Sequence, residues 1–159
     1  MIKIENQLSQ EFKKWYIGKS KGSSFADFGC ALFCFAYIYS LKLGKQISPK
    51  EVDGIFVKNG VYIGDLINFS KACEVLGLQY FGVEKDINKP PKWFPSVKRV
   101  DYSARPGKQY HFVVRSVVDG KKVILDPVGG VQRNINHYEK LVGDTSWVQG
   151  AFEYRLIKI

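Results

Sequence analysis

Three side chains far apart in the chain have the types and placement for nucleophilic chemistry: Cys30, His111 and Asp126. A thiol attacks as its anion, and the positive end of a helix dipole, with its unused backbone N–H groups, favours that anion. Asp27 reads as a helix cap, which puts Cys30 at the third position of the helix that follows. Gly29 removes a side chain where a substrate has to approach. His111 opens the run Phe112-Val113-Val114, so it begins a strand with its ring able to face a cleft. Asp126 ends the next strand, just before Pro127. The turn at Asp119-Gly120 lies between the two, and counting outward from it brings His111 and Asp126 to the same end of one hairpin. A carboxylate there accepts a hydrogen bond from one ring nitrogen, fixes the imidazole and leaves the other nitrogen for the thiol. Taken singly, the three have plainer readings: a core cysteine, a surface histidine and a structural Asp-Pro turn. As a triple in this order they point to acyl chemistry through a thiolate.

The elements that must position these residues divide the chain into two halves. Phe28 to Leu43 reads as a helix ending at Gly44, apolar on nearly every face and therefore buried. Ser48-Pro49-Lys50-Glu51 is a capping box that starts a second helix running to about Lys58. A third runs from about Asp65 to Leu76, with Gly77 as its stop. The second half changes to β character. Leu78 to Val83, Ser96 to Tyr102, Tyr110 to Val118, Lys121 to Leu125 and Phe152 to Ile159 read as strands, and Asn88 to Pro95 is a proline-rich connection. Helices first and an antiparallel sheet second make an α+β fold, in which a buried Cys-bearing helix packs on a C-terminal antiparallel sheet. No boundary divides the chain, so residues 1–159 are expected to form a single domain.

Composition narrows the partners. Lys and Arg number 24 against 15 Asp and Glu, a net charge of +9, which favours anionic partners such as nucleic acid, wall polymers or acidic lipid. The equally plain reading is a solubilising surface, since the lysines are spread and form no basic arm. The longest uncharged apolar run, Phe28 to Tyr39, is too short to span a bilayer, and no cleavable signal peptide is recognisable. The chain therefore reads as soluble and made in a cytoplasm. The 3 cysteines have no CxxC spacing and form no disulfide framework. Cys34, one turn past Cys30, and Cys73 read as packed residues. A zinc site of Cys30, Cys34, His111 and Asp126 has suitable ligand types but no usual zinc spacing. His137-Tyr138 and Trp15, Trp93 and Trp147 read as substrate-side contacts or as surface and core packing. Gly129-Gly130 reads as a turn.

Phe28-Gly29-Cys30-Ala31, the His111–Val114 run and Ile124-Leu125-Asp126-Pro127 with Gly129-Gly130 resemble the C39-like branch of papain-like cysteine peptidases. Phage and bacterial members carry a Gln followed five residues on by Trp ahead of the Cys loop, a spacing matched by Gln10 and Trp15. Ile47 to Val52 and Asn59-Gly60-Val61-Tyr62 extend the similarity, which covers roughly residues 8–130. The resemblance implies a papain-like fold with Cys30 as nucleophile, His111 as general base and acid, and Asp126 as the residue that orients the imidazole. Gln10 would be the oxyanion-hole donor, paired with the Cys30 backbone N–H; its plain reading is a solvent-facing glutamine.

The expected activity is that of a cysteine peptidase or amidase needing no metal or organic cofactor. Peptidases of this branch that cleave double-glycine leaders are joined to membrane spans and an ATP-binding domain, which this sequence lacks. The likeness to phage proteins implies instead a virion-associated or lysis enzyme that cuts peptidoglycan cross-links. An anionic cell wall would suit the basic surface, and delivery by a virion or a holin would suit the missing signal. Other virion proteins would then be partners. Two rivals keep the fold: an acyl-transferring enzyme of transglutaminase type, and a catalytically degenerate module that serves as a structural or wall-binding part of a particle. A nucleic-acid binder ranks below these, because no recognition helix, aromatic RNA-binding pattern or zinc module is present.

Overall fold

The computed structural model describes residues 1–15, 18, 29–64, 66–102, 109–137 and 153–159. Its three α-helices are α1 (Cys30–Leu43), α2 (Pro49–Lys58) and α3 (Phe69–Leu76). Helix α1 has no polar face, and every residue from Cys30 to Ile38 is buried, as is Ser40. It packs against α2 on one side and strand 109–118 of the sheet on the other, while α3 packs on strand 79–84. Phe33 meets Phe12 edge-on at 4.8 Å between centroids, and Phe35 meets Phe56 at 5.5 Å and Phe69 at 5.1 Å. On the sheet side Tyr37 Oη and Ser116 Oγ share a hydrogen bond of 3.0 Å. Gly44 ends α1 with φ +68°, a left-handed conformation that glycine adopts without cost.

Helix α2 starts as the sequence predicts. Glu51 N donates to Ser48 Oγ at 3.2 Å, and Ser48 N donates to Glu51 Oε2 at 2.8 Å, so each side chain satisfies the other's backbone N–H. Helix α3 starts later than predicted. Asn68 caps it, accepting from Lys71 N at 3.1 Å. Leu66 and Ile67, expected in its first turn, belong instead to a small hairpin, in which β1 (Tyr62–Ile63) pairs with β2 (Leu66–Ile67). Helix α1 also starts later: Cys30 is its first residue rather than its third, with Gly29 in the capping position. Asp27, expected as the cap, lies outside the described residues.

The remaining strands form one six-stranded antiparallel sheet of β3 (Gln79–Glu84), β4 (Ser96–Tyr102), β5 (Gln109–Val118), β6 (Lys121–Asp126), β7 (Val131–Asn134) and β8 (Glu153–Lys158). The spatial order is β3-β8-β4-β5-β6-β7, so the last strand inserts between two earlier ones. Glu153 Oε1 accepts from both Arg99 Nη1 and Arg155 Nη2 at 2.8 Å, which ties β8 to β4. The β5–β6 turn has positive φ at Asp119 (+49°) and Gly120 (+75°), the pair of conformations a tight two-residue hairpin demands. Strand β7 is an addition to the strands expected from the sequence. The helices and the sheet share one apolar cluster that includes Leu32, Phe35, Val52, Phe56, Val114 and Ile157. The fold is thus α+β, with the Cys-bearing helix buried against an antiparallel sheet. Among the described residues, no helix is long and apolar enough to cross a membrane.

Candidate active site

The β5–β6 register explains how a histidine and an aspartate fifteen residues apart come to touch. Val114 faces Leu125, and continuing the register by one residue sets Asp126 opposite Val113. His111 lies two residues farther along β5, on the same face of the pleat, as a diagonal cross-strand neighbour. Its Nε2 donates to Asp126 Oδ1 at 2.7 Å. A second hydrogen bond joins the His111 and Cys30 side chains. Since Nε2 is engaged with the carboxylate, the nitrogen that serves the sulfur is Nδ1. The structure therefore brings Cys30, His111 and Asp126 together in the order carboxylate, imidazole, thiol.

Helix α1 supplies the third member by its first residue. The Gly29 carbonyl accepts the first intrahelical bond, from Phe33 N at 3.0 Å. The N–H of a first helical residue is not used by the helix, so it is available to whatever binds at that end. The sulfur of Cys30 thus meets both the imidazole and the positive end of a 14-residue helix.

All three groups are shielded from water: Cys30 is 8% exposed, His111 5% and Asp126 1%. Burial works against a charged imidazole and is the largest single influence on His111. The hydrogen bonds from Asp126 and Cys30, with their charges, outweigh it together and lift His111 from 6.5 to about 9. The imidazolium is therefore the favoured form at neutral pH. Burial pushes the Cys34 thiol well up, and the neighbouring Cys30 and Asp126 add to this. Burial lifts Cys73 to about 12. Both remain neutral, packed thiols, as the sequence suggested.

Asp126 is held on several sides. Its Oδ1 also accepts from Val128 N at 2.9 Å, within the Asp-Pro turn, and its Oδ2 accepts from Arg133 Nε at 3.2 Å. Sequence reasoning missed Arg133, because it lies on a short strand whose residues Val131-Gln132-Arg133-Asn134 carry no clear β pattern. The only local signal was Gly129-Gly130, read as a turn; both have positive φ, and the turn sends the chain back along β6. The close approach there also needs glycine, since a Cβ on Gly130 would lie 3.1 Å from Asn6 N.

Gln10, the residue matched to an oxyanion donor, is exposed. The buried glutamine of that segment is Gln7, at 3% exposure. Its backbone N donates to Pro127 O at 2.9 Å, next to Asp126, and Asn6 Oδ1 accepts from Gly129 N at 3.1 Å. Residues 6–7 are thus sewn to the turn that carries the carboxylate, and Phe12 continues the segment onto Phe33 of α1.

Of the other candidates, His137 is exposed on the turn after β7. Burial, and then the charge of Arg133, hold it below the usual histidine range. Trp15 is exposed and lies under the Lys50 ammonium, 3.4 Å from the ring centroid, while the half-buried Trp93 donates to Ile157 O at 2.8 Å. Tyr138 and Trp147 fall outside the described residues. Among the described residues, no three His, Cys, Asp or Glu side chains are arranged to hold a metal ion. No protein-family model matches the chain, and neither does any curated protein compared with it.

Proposed function

We propose that this chain is a papain-like cysteine hydrolase of the C39-like type that cleaves peptide or amide bonds. The observation that carries the reading is one imidazole held by a buried carboxylate at 2.7 Å through Nε2, with its other nitrogen serving the thiol of a helix's first residue. His111 takes the Cys30 proton on Nδ1, giving a thiolate–imidazolium pair. The sulfur attacks a substrate carbonyl carbon, and the C=O electron pair moves to oxygen. The Cys30 backbone N–H and the Gln7 amide, in place of Gln10, are the assigned donors to that oxyanion. As the C–N bond breaks, Nδ1 passes its proton to the leaving amine. Water, deprotonated by the same nitrogen, then attacks the thioester. The acid leaves and the thiol is restored. The reaction needs no cofactor.

For substrate we favour the peptide cross-links of peptidoglycan, with the enzyme carried in a phage virion or released for lysis. The net charge of +9 supports this, since it favours approach to an anionic wall. The test is turbidity clearance of purified Gram-positive wall material. Wild-type protein should clear it and Cys30→Ala should not. Equal clearance by both proteins would refute the mechanism.

One observation favours a second reading, the catalytically degenerate structural or wall-binding module: Cys30 is only 8% exposed. Iodoacetamide separates the two. Rapid, pH-dependent alkylation of Cys30 in the native protein supports the hydrolase. Reaction only after unfolding supports the inert module.

A further inference from the structure

We propose that Arg133 is a positioning residue that holds Asp126 ionised and aimed at His111. The β6–β7 register places Asp126 opposite Val131 and Ile124 opposite Arg133, which makes Arg133 and Asp126 diagonal neighbours on one face. Asp126 and His111 stand in the same relation across β5 and β6. Arg133, Asp126 and His111 therefore form a line across three strands, and its far end meets Cys30.

The need for a cation follows from burial. A carboxylate that is 1% exposed has lost nearly all its water, and a buried anion persists only with compensating donors. Val128 N supplies one neutral donor and His111 a titrating one. Arg133 supplies a charge that does not titrate, because a guanidinium stays protonated over the whole range in which His111 changes state. Its side chain is 35% exposed, so much of the guanidinium keeps its hydration while Nε serves Oδ2. The titratable and charged groups facing Asp126 include His111 from β5, Arg133 from β7, His137 from the following turn, and the Cys30 and Cys34 thiols from α1. Arg133 alone among them is permanently cationic.

The inference deepens the hydrolase reading and rests on it for the role of the line, but two of its readouts need no substrate. The experiment compares wild type with Arg133→Met, Arg133→Gln and Arg133→Lys in the full chain. Carbon-13 NMR of aspartate-labelled protein follows the Asp126 carboxyl, and iodoacetamide alkylation of Cys30 is measured against pH. Loss of the charge should raise the pH at which Asp126 takes a proton by about one unit, a tenfold change, and should carry the acid limb of the alkylation profile with it. Lysine should restore most of that limb, and glutamine, a donor without charge, should not. His137 should titrate higher in the glutamine variant, which confirms that the local cation is gone. If Arg133→Met does not fold, the glutamine–lysine comparison decides. An unchanged acid limb and Asp126 titration in folded Arg133→Gln would overturn the proposal. Should the wall assay fail while Asp126 still shifts in Arg133→Gln, the hydrolase reading falls and the assignment of Arg133 to the carboxylate stands.

Discussion

Replacing Asp126 by asparagine separates the charge of the carboxylate from its shape. The amide oxygen of the new side chain can still accept from His111 Nε2, but its NH2 group then faces Arg133 Nε, donor against donor, where a carboxylate oxygen accepted at 3.2 Å. The larger effect falls on His111. In the native protein it is raised from 6.5 to about 9, a preference of about 3 kcal/mol for the imidazolium. Solvent screening reduces this little, because the His111 side chain is 6% exposed. Without the carboxylate only the contributions of Cys30 oppose burial, so His111 should titrate well below its native value of about 9. The protonated fraction of the ring near neutral pH falls accordingly, and the Cys30 sulfur loses part of its cationic partner. Alkylation of Cys30 at pH 7 should slow at least about tenfold. The sign for stability follows. A histidine raised on folding stabilises fully below pH 6.5, and the contribution is lost as pH rises through about 9. Wild type should therefore lose up to about 3 kcal/mol across that window relative to the variant. The assay is imidazole proton NMR over pH 5–10, and with 2 histidines in the chain His137→Gln assigns the signals. A His111 that titrates near 6 in wild type, or near 9 in Asp126→Asn, would refute the reasoning.

Three further outcomes are expected. Gln7→Ala should lower kcat for peptide hydrolysis by about a hundredfold with a smaller effect on KM, and Gln10→Ala should leave both near wild type; steady-state kinetics on a soluble peptide checks this. Gly130→Ala combines φ +59° with a Cβ 3.1 Å from Asn6 N, so it should destabilise by about 1–2 kcal/mol in urea unfolding and, by displacing residues 6–7, reduce activity as well. Ser48→Ala removes one half of the α2 capping box and should cost about 1 kcal/mol in the same measurement without changing the alkylation rate of Cys30.

The features legible in the sequence are those set by local chemistry. Asp119-Gly120 can close a tight hairpin almost regardless of context, and that turn alone brings His111 and Asp126 to one end. The Ser48–Glu51 box needs only four consecutive residues. A helix apolar on every side announces its own burial, so Cys30 could be set at the base of a central helix, although its start moved by two residues. The features that stayed hidden depend on partners distant in the chain. Leu66-Ile67 is a strand only because Tyr62-Ile63 pairs with it, and Asn68 then takes over as cap. Val131–Asn134 is an edge strand with mostly exposed residues, so no apolar alternation marks it. Gln7 and Gln10 differ in what folds over them, and nothing in their immediate neighbours records that.

The place of β8 between β3 and β4 bears on how the protein is made. As a nascent chain leaves the ribosome, helix α1 and the consecutive strands β4 to β7 can associate as soon as they emerge, and these elements carry Cys30, His111, Asp126 and Arg133. Strand β3 must wait for residues 153–158 before it gains a strand partner. The reactive centre can thus be organised early in biosynthesis, and the final seam of the sheet closes around it afterwards.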